Sequence, residues 1–393
     1  MYKSGNAQNR NYKIYIMKIG IITQPLECNY GGLLQNYALQ QVLRNLGHDV
    51  YTIDRKPNSI YSYRWDIVFC WRIRQIIKKY IGIEYTASYK KHCIITQNCT
   101  SFIKENIRTT TRFKNDKELG LIINKLEFDA YIVGSDQVWR PKYSSNIYND
   151  FLDFCQEKTN IKRIAYAASF GVNEWEFNEE QTQECSRLAK LFDAISVRED
   201  SGIALCNKNL GVDAIHVLDP TLLLEKEDYI GLVEKAKEPV SSGNLFCYIL
   251  DNNESIRNGI QNIEQTLSLK AFQVKAKADK GTLKRGEDVK DHIVPAPTKW
   301  LRAFMDAEMV FTDSFHGCVF SIIFNKPFWV IGNKERGNAR FDSLLKQFNL
   351  ENRRFDISEI NKVDLTQPID WEKINTIKKE WQEKSINFLK GHL

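Results

Sequence analysis

Short apolar runs that end in polar or small residues recur along this chain, and stretches with helical spacing of apolar positions separate them. The first run is Lys18-Ile19-Gly20-Ile21-Ile22-Thr23, residues 33–46 carry the first helical spacing up to Gly47, and 48–54 read as a second strand. Continuous apolar runs of this length suit strands buried on both faces of a parallel sheet, and their alternation with helices predicts βαβ units. Further strands are expected up to Val133, over 164–168, over 194–197 and at 215–218, with a helix over 180–192. The segment Glu238-Pro239-Val240-Ser241-Ser242-Gly243 breaks the pattern as a linker does. Beyond it the alternation restarts: strand 245–250, helix 254–267, strand 272–276, helix 298–305, a strand ending near Thr312, a helix starting between Ser314 and Gly317, strand 328–331 and helix 341–348.

The pattern therefore predicts an α/β fold class, with an N-terminal α/β domain over 17–238, a C-terminal α/β domain over 244–370 and a cleft between them. A C-terminal helix over 371–393 follows, with Trp371, Trp381 and Phe388 as anchors. Residues 57–113 are the least regular part and read as a helical insert in the first domain; within it 65–83 is a basic, aromatic, amphipathic helix. Residues 1–16 are polar and are expected to be a disordered extension, with the folded domain, and an alternative translation start, at Met17.

Composition narrows the function classes. The 393 residues suffice for two cores, and 43% hydrophobic with 26% charged residues is globular rather than disordered. The net charge of +6 is spread along the chain, which gives no nucleic-acid signature and suits an anionic substrate or an acidic membrane face. Nine scattered cysteines contain no C-x-x-C pair, so neither a zinc site nor a disulfide framework is indicated, and a cytoplasmic setting is expected. No apolar stretch approaches the ~20 residues of a membrane span.

Loops at the carboxyl ends of parallel strands form the ligand crevice of an open α/β sheet, so the polar exits of the apolar runs are the candidate chemistry. Asn29, Tyr30 and the Gly31 backbone follow the first strand; the glycines there serve either a ligand or close helix–strand packing, and they do not form a dinucleotide fingerprint. Asp136 follows the strand that ends at Val133 and either lines the crevice or caps a helix. Arg198 follows 194–197 and either anchors an anion or joins a structural network with Glu199. Asp219-Pro220 reads as a turn, and His216, inside an apolar run, as a packed core histidine. The richest exit is Thr312-Asp313-Ser314-Phe315-His316-Gly317, where a strand meets the start of a helix and free N–H groups favour an anion beside His316.

Five motifs occur in order: Asn29-Tyr30-Gly31-Gly32-Leu33-Leu34-Gln35-Asn36-Tyr37-Ala38-Leu39-Gln40, Val133-Gly134-Ser135-Asp136-Gln137-Val138-Trp139, Ser196-Val197-Arg198-Glu199, Asp219-Pro220-Thr221 and Thr312-Asp313-Ser314-Phe315-His316-Gly317. Together they resemble the polysaccharide pyruvyl transferase family over about residues 17–350. The resemblance implies two Rossmann-like domains facing across a cleft, similar to the GT-B glycosyltransferase fold. It also implies transfer of a pyruvyl group from phosphoenolpyruvate to two hydroxyls of a sugar, as a cyclic ketal, in capsular or other cell-surface polysaccharide biosynthesis. His316 matches the family histidine near phosphoenolpyruvate, and Arg198 the arginine of its V-R-E motif. Some relatives carry a basic residue where this chain has Ser314, so phosphate binding is expected to fall to Arg198, the helix terminus and Arg336 or Arg340.

The expected donor site is thus Arg198, Ser314, Phe315, His316, Gly317 and Arg340, with His316 as proton donor. The expected acceptor side is Asn29, Tyr30, Gly31, Asp136 and Trp139: Asp136 takes a hydroxyl proton or orients the sugar, and Tyr30 and Trp139 stack on it, although Trp139 reads equally as a core anchor. The chemistry calls for no metal and no cofactor besides phosphoenolpyruvate as donor substrate. The acceptor sugar is expected to be nucleotide-linked or lipid-linked, the latter with peripheral contact at the inner face of the membrane through 65–83. Two other functions fit the same pattern, a nucleotide-sugar glycosyltransferase on this scaffold and a non-catalytic sugar-binding component of an assembly complex.

Overall fold

In the first strand, β1 (Lys18–Ile22), Ile19, Ile21 and Ile22 are all buried, because a strand between two parallel neighbours has no face left to water. α1 (Tyr30–Asn45) returns the chain to β2 (Asp49–Thr52). An insert of α2 (Trp65–Tyr80), β3 (Tyr85–Thr86), α3 (Tyr89–Ile95) and α4 (Gln97–Asn106) follows. The alternation resumes with α5 (Asp116–Leu126), β4 (Ala130–Val133), β5 (Lys162–Ala168), α6 (Glu179–Ala189), β6 (Ala194–Val197), α7 (Ser201–Leu205) and β7 (Ile215–His216). These strands form one parallel sheet in the order β2-β1-β4-β5-β6-β7.

α8 (Lys226–Ala236) crosses to the second domain, made of β8 (Leu245–Tyr248), α9 (Glu254–Leu267), β9 (Ala271–Phe272), β10 (Thr282–Leu283), α10 (Pro297–Asp306), β11 (Met309–Thr312), α11 (Phe315–Ile323), β12 (Phe328–Ile331), α12 (Ala339–Gln347) and β13 (Arg354–Phe355). Its sheet is also parallel, in the order β13-β12-β11-β8-β9. Two Rossmann-like domains therefore face one another. In each sheet the strand order reverses once, between β1 and β4 and between β8 and β11, and such switch points open the crevice where ligands bind.

This computed structural model describes residues 16–56, 65–80, 85–86, 89–251, 253–278, 282–284, 286–332 and 338–393. The expected extension at 1–16, apart from Ile16, and Arg336 lie outside the described residues. The helix expected over 65–83 is described as Trp65–Tyr80, and the strands expected over 48–54 and 272–276 pair only over Asp49–Thr52 and Ala271–Phe272.

The chain does not keep to its own half of the molecule. The insert leans on the second domain: β3 pairs antiparallel with β10, the Val294 amide donates to the Ile95 carbonyl at 2.9 Å, and Asn98 Nδ2 donates to the Val294 carbonyl at 2.9 Å. α13 (Trp371–His392) returns to the first domain. Ser385 Oγ accepts from the Leu218 amide at 3.0 Å, Gln382 Nε2 donates to the Leu222 carbonyl at 2.8 Å, and Phe388 meets the ring of Tyr166. A single apolar cluster runs through both domains, from Ile19 and Leu34 to Phe246, Trp300 and Phe320.

Candidate active site

The two switch points meet at His316. β11 is buried throughout, and its last residue, Thr312, anchors the exit: Oγ1 donates to the Tyr248 carbonyl at 2.7 Å and accepts from the Ser314 amide at 3.0 Å. The Asp313 carboxylate accepts from the Leu250 and Asp251 amides at 2.8 and 2.9 Å, which ties the ends of β8 and β11 together. Ser314 occupies the N-cap of α11 but its hydroxyl makes no capping bond, so the first helical turn keeps its N–H groups open. Gly317 is required by packing, since a Cβ there would lie 2.2 Å from Thr312 Oγ1. Gly31, in the first turn of α1 on the opposite domain, would place a Cβ 2.0 Å from His316 Nδ1. Only a residue without a side chain lets the imidazole pass so close to a backbone.

Arg198 reaches this histidine from the end of β6. Its Nη1 donates to Asp219 Oδ2 at 2.9 Å, its Nη2 to Asp136 Oδ1 at 3.3 Å, and its Cζ lies 4.6 Å from the centre of the Phe315 ring. Asp219 also faces His316 Nε2 at 3.6 Å, while its other oxygen accepts from the Thr221 amide at 3.0 Å and hydroxyl at 2.7 Å. Asp136 has a positive φ of 67°, and its carbonyl accepts from the Val138 and Ser169 amides. Gln35 holds the neighbouring turn, accepting from the Ser135 amide at 3.0 Å and donating to Thr23 Oγ1 at 2.9 Å. Arg340, in the first turn of α12, places its Cζ 5.8 Å from the other side chains' meeting point, the Phe315 ring.

Charge is unevenly shared among these groups. Burial by itself would lower the pKa of Arg198, but the carboxylates of Asp136 and Asp219 outweigh it and raise it. Burial by itself would raise both carboxyls; the charge of Arg198 outweighs it at Asp136, the nearby imidazole of His316 and the charge of Arg198 outweigh it at Asp219, and both stay below the ordinary carboxylate range. Arg340 has neither carboxylate at hydrogen-bond distance, and burial together with the Arg198 charge pulls its pKa down to about 10. Among the described residues, three buried nitrogens here are left without a hydrogen-bond partner: Arg198 Nε, Arg340 Nε and His316 Nε2, which stops 3.6 Å short of Asp219. Such orphaned donors cost stability unless a ligand meets them.

The structure thus brings together Arg198, Phe315, His316, Asp136, Gly31 and Arg340, with Ser314 and Gly317 shaping the helix start. It separates others from them. Trp139 belongs to the core rather than to an acceptor face: it is 0% exposed, stacks on Phe151 at 4.9 Å, and its Nε1 donates to the Asp150 carbonyl. Tyr30 is likewise buried, packed against Tyr248 and Trp300, and its hydroxyl donates to the Pro295 carbonyl at 2.9 Å, a bond between the domains. Asn29 caps α1, its side chain accepting from the Gly32 amide at 3.3 Å. Asp136 caps no helix, and Glu199 does not pair with Arg198; its Oε1 accepts from the Phe170 and Gly171 amides at 2.7 and 2.9 Å. His216 is a packed histidine, with Nε2 beside the Arg198 carbonyl at 3.0 Å. Two residues were not anticipated. Asp219 reads in sequence as a turn residue, yet it is the polar exit of an apolar run like the others. Tyr143, in the 3-10 turn Pro141–Tyr143, is 44% exposed, stacks on Arg140 and lies close enough to act on the charge of Arg340.

A family model described as polysaccharide pyruvyl transferase matches residues 29–335. No curated protein matches the chain. Among solved structures, the S. aureus MnaA–UDP co-structure is similar at a TM-score of 0.50 with 10% identity, covering 95% of this chain and 96% of that one. A UDP-GlcNAc 2-epimerase from Methanocaldococcus jannaschii scores 0.48 with 11% identity, covering 94% and 98%. A glycosyltransferase from Rickettsia africae ESF-5 scores 0.45 with 11% identity, covering 96% and 94%. At such identities the likeness concerns the fold alone.

Proposed function

Because the chain belongs to the polysaccharide pyruvyl transferase family, we propose that it moves a pyruvyl group from phosphoenolpyruvate to two hydroxyls of one sugar, as a cyclic ketal, during assembly of a capsular or other cell-surface polysaccharide. The observation that supports this reading is the set of unpartnered nitrogens of Arg198, Arg340 and His316 around Phe315. Phosphoenolpyruvate carries a phosphate and a carboxylate, and two guanidiniums with the open first turn of α11 are the donors two such anions need.

In this reading His316 delivers a proton to the methylene carbon of phosphoenolpyruvate, which becomes a methyl group, and positive charge develops at C2. The first sugar hydroxyl bonds to C2, the C2–O bond to phosphate breaks, and the second hydroxyl closes the ring. Of the two hydroxyl protons released, one balances the proton placed on the methyl group and the other leaves with inorganic phosphate. No redox change occurs, so phosphoenolpyruvate and the acceptor suffice. Asp219 orients the imidazole, and Asp136, whose lowered pKa makes it a weak base, orients Arg198. With Trp139 and Tyr30 buried, the exposed ring of Tyr143, near enough to Arg340 to act on its charge, is the aromatic surface an acceptor pyranose would meet.

Thermal shift and phosphate release test the reading. Stabilisation by phosphoenolpyruvate that is lost in Arg340→Gln, with phosphate release that depends on a sugar acceptor, is the expected result. Stabilisation by a sugar nucleotide and none by phosphoenolpyruvate would overturn it in favour of a glycosyltransferase. Polysaccharide pyruvylation in cells that survives His316→Ala would instead favour a non-catalytic sugar-binding role.

A further inference from the structure

α2 takes no part in the site, and its described side chains make an unusual surface. Ile73, Ile76 and Ile77 are 42%, 55% and 52% exposed. Their spacing puts all three in one stripe along the helix. At about 100° per residue, Arg72 and Lys79 run along one side of that stripe and Arg74 and Lys78 along the other. All four cations are exposed, and residues 72–79 contain no acidic residue. α3 continues the character, exposing Tyr89 and Ile94 as well as Lys90. The backbone pairing of β3 with β10 fixes the insert to the rim of the second domain.

Three occupants could cover the stripe, and charge separates them. Water leaves three isoleucines wet. A second copy related by a twofold axis would set the same four cations against their own counterparts, a like-charge contact that opposes association. An anionic lipid surface accepts both features at once, since apolar side chains enter the acyl boundary while flanking Lys and Arg meet headgroup phosphates.

We propose that α2 is a membrane-surface helix that docks this protein on an anionic phospholipid bilayer, with Ile73, Ile76 and Ile77 inserted and Arg72, Arg74, Lys78 and Lys79 at the phosphates. No helix among the described residues is long and apolar enough to cross a membrane, so this contact is peripheral. It rests on α2 alone and stands whichever donor the site uses.

Vesicle flotation of the full-length protein tests it, with phosphatidylglycerol–phosphatidylcholine vesicles against phosphatidylcholine alone. The protein should float with the anionic vesicles only, and less so as salt rises from about 50 to about 500 mM. Lys78→Glu with Lys79→Glu should weaken anionic binding by about tenfold or more. Ile76→Glu with Ile77→Glu should abolish flotation, and both double variants should keep the parent's melting temperature and its phosphate release with a water-soluble acceptor. Equal flotation with neutral vesicles, or none with anionic ones, would overturn the proposal. So would a native mass of a dimer that Ile76→Glu with Ile77→Glu converts to monomer, since a second copy would then cover the stripe.

Discussion

Two buried arginine–aspartate clusters lie in the first domain, and they use their hydrogen bonds differently. Arg55, just after β2, pairs with Asp150 and donates to the Thr23 carbonyl at 3.1 Å; Asp150 also accepts from Ser144, and its backbone carbonyl holds Trp139. Neither side chain keeps a buried polar atom without a partner among the described residues. Arg198 is as buried, pairs with two carboxylates, and still leaves Nε unmet beside the unmet nitrogens of His316 and Arg340. A buried ion pair is therefore no sign of function by itself. What separates the two clusters is the hydrogen-bonding capacity left open and a second cation, Arg340, with no carboxylate partner among the described residues.

The comparison fails at once if the open cluster is not the reactive one. His316→Ala should lower acceptor-dependent phosphate release by about 10²–10⁴-fold, the usual weight of one proton-transferring side chain, with an unchanged circular dichroism spectrum. Arg55→Met should do the reverse. Leaving Asp150 buried without its cation costs about 3–5 kcal/mol, read as a lower urea midpoint, while the folded fraction keeps the parent's KM for phosphoenolpyruvate.

Arg340 sharpens the contrast because it should separate stability from binding. Its charge sits near that of Arg198 and its Nε is orphaned, so Arg340→Gln should leave the melting temperature unchanged or raise it. The same change should raise KM for phosphoenolpyruvate about tenfold or more, the loss expected for a charge-assisted hydrogen bond. A parallel fall in stability would place Arg340 with Arg55 as a structural residue.

These distinctions were only partly legible in the sequence. β1 and β11 are legible as apolar runs with polar exits, β12 as an apolar run, and the helices as spaced apolar positions over 33–46 and 254–267, because those patterns follow directly from which faces are buried. The exits also gave Arg198, Asp136 and His316 as candidates. Pattern alone does not say what an aromatic faces: Tyr30 reads as a sugar-stacking ring and Trp139 equally as that or as a core anchor, and both lie in packed interiors. Asp219 was masked by the turn chemistry of the proline that follows it. The docking of α13 on the first domain depends on long-range contacts such as Ser385 with Leu218, which local periodicity does not encode.

Acid titration distinguishes paired carboxyls in a graded way. The folded pKa values of Asp136 and Asp219 are held below the unfolded value near ~4, so their stabilisation is present above that pH and is lost as pH falls through the folded values. Asp219→Asn should lower the urea midpoint at pH 7 and flatten the decline below about pH 4.

Asp153 supplies the smallest and most discriminating effect. Like the site groups it has an orphaned buried atom, Oδ1, and burial, with Asp116, Asp150 and Glu184 nearby, raises its pKa to about 6. Unlike them, the charged groups that act on it are all carboxylates. Its folded pKa is above the unfolded one, so the fold is favoured most below about pH 4 and loses stability as pH rises to about 6. Asp153→Asn should therefore stabilise at pH 7 and not at pH 4. Discounted for its partial exposure, the gain is about 1 kcal/mol, well below what a shift of that size gives in a dry interior. Phosphoenolpyruvate kinetics should not change. If they do, an orphaned buried atom is enough to mark a functional group in this protein; if they do not, the mark is an orphan set among converging cations, as it is around Phe315.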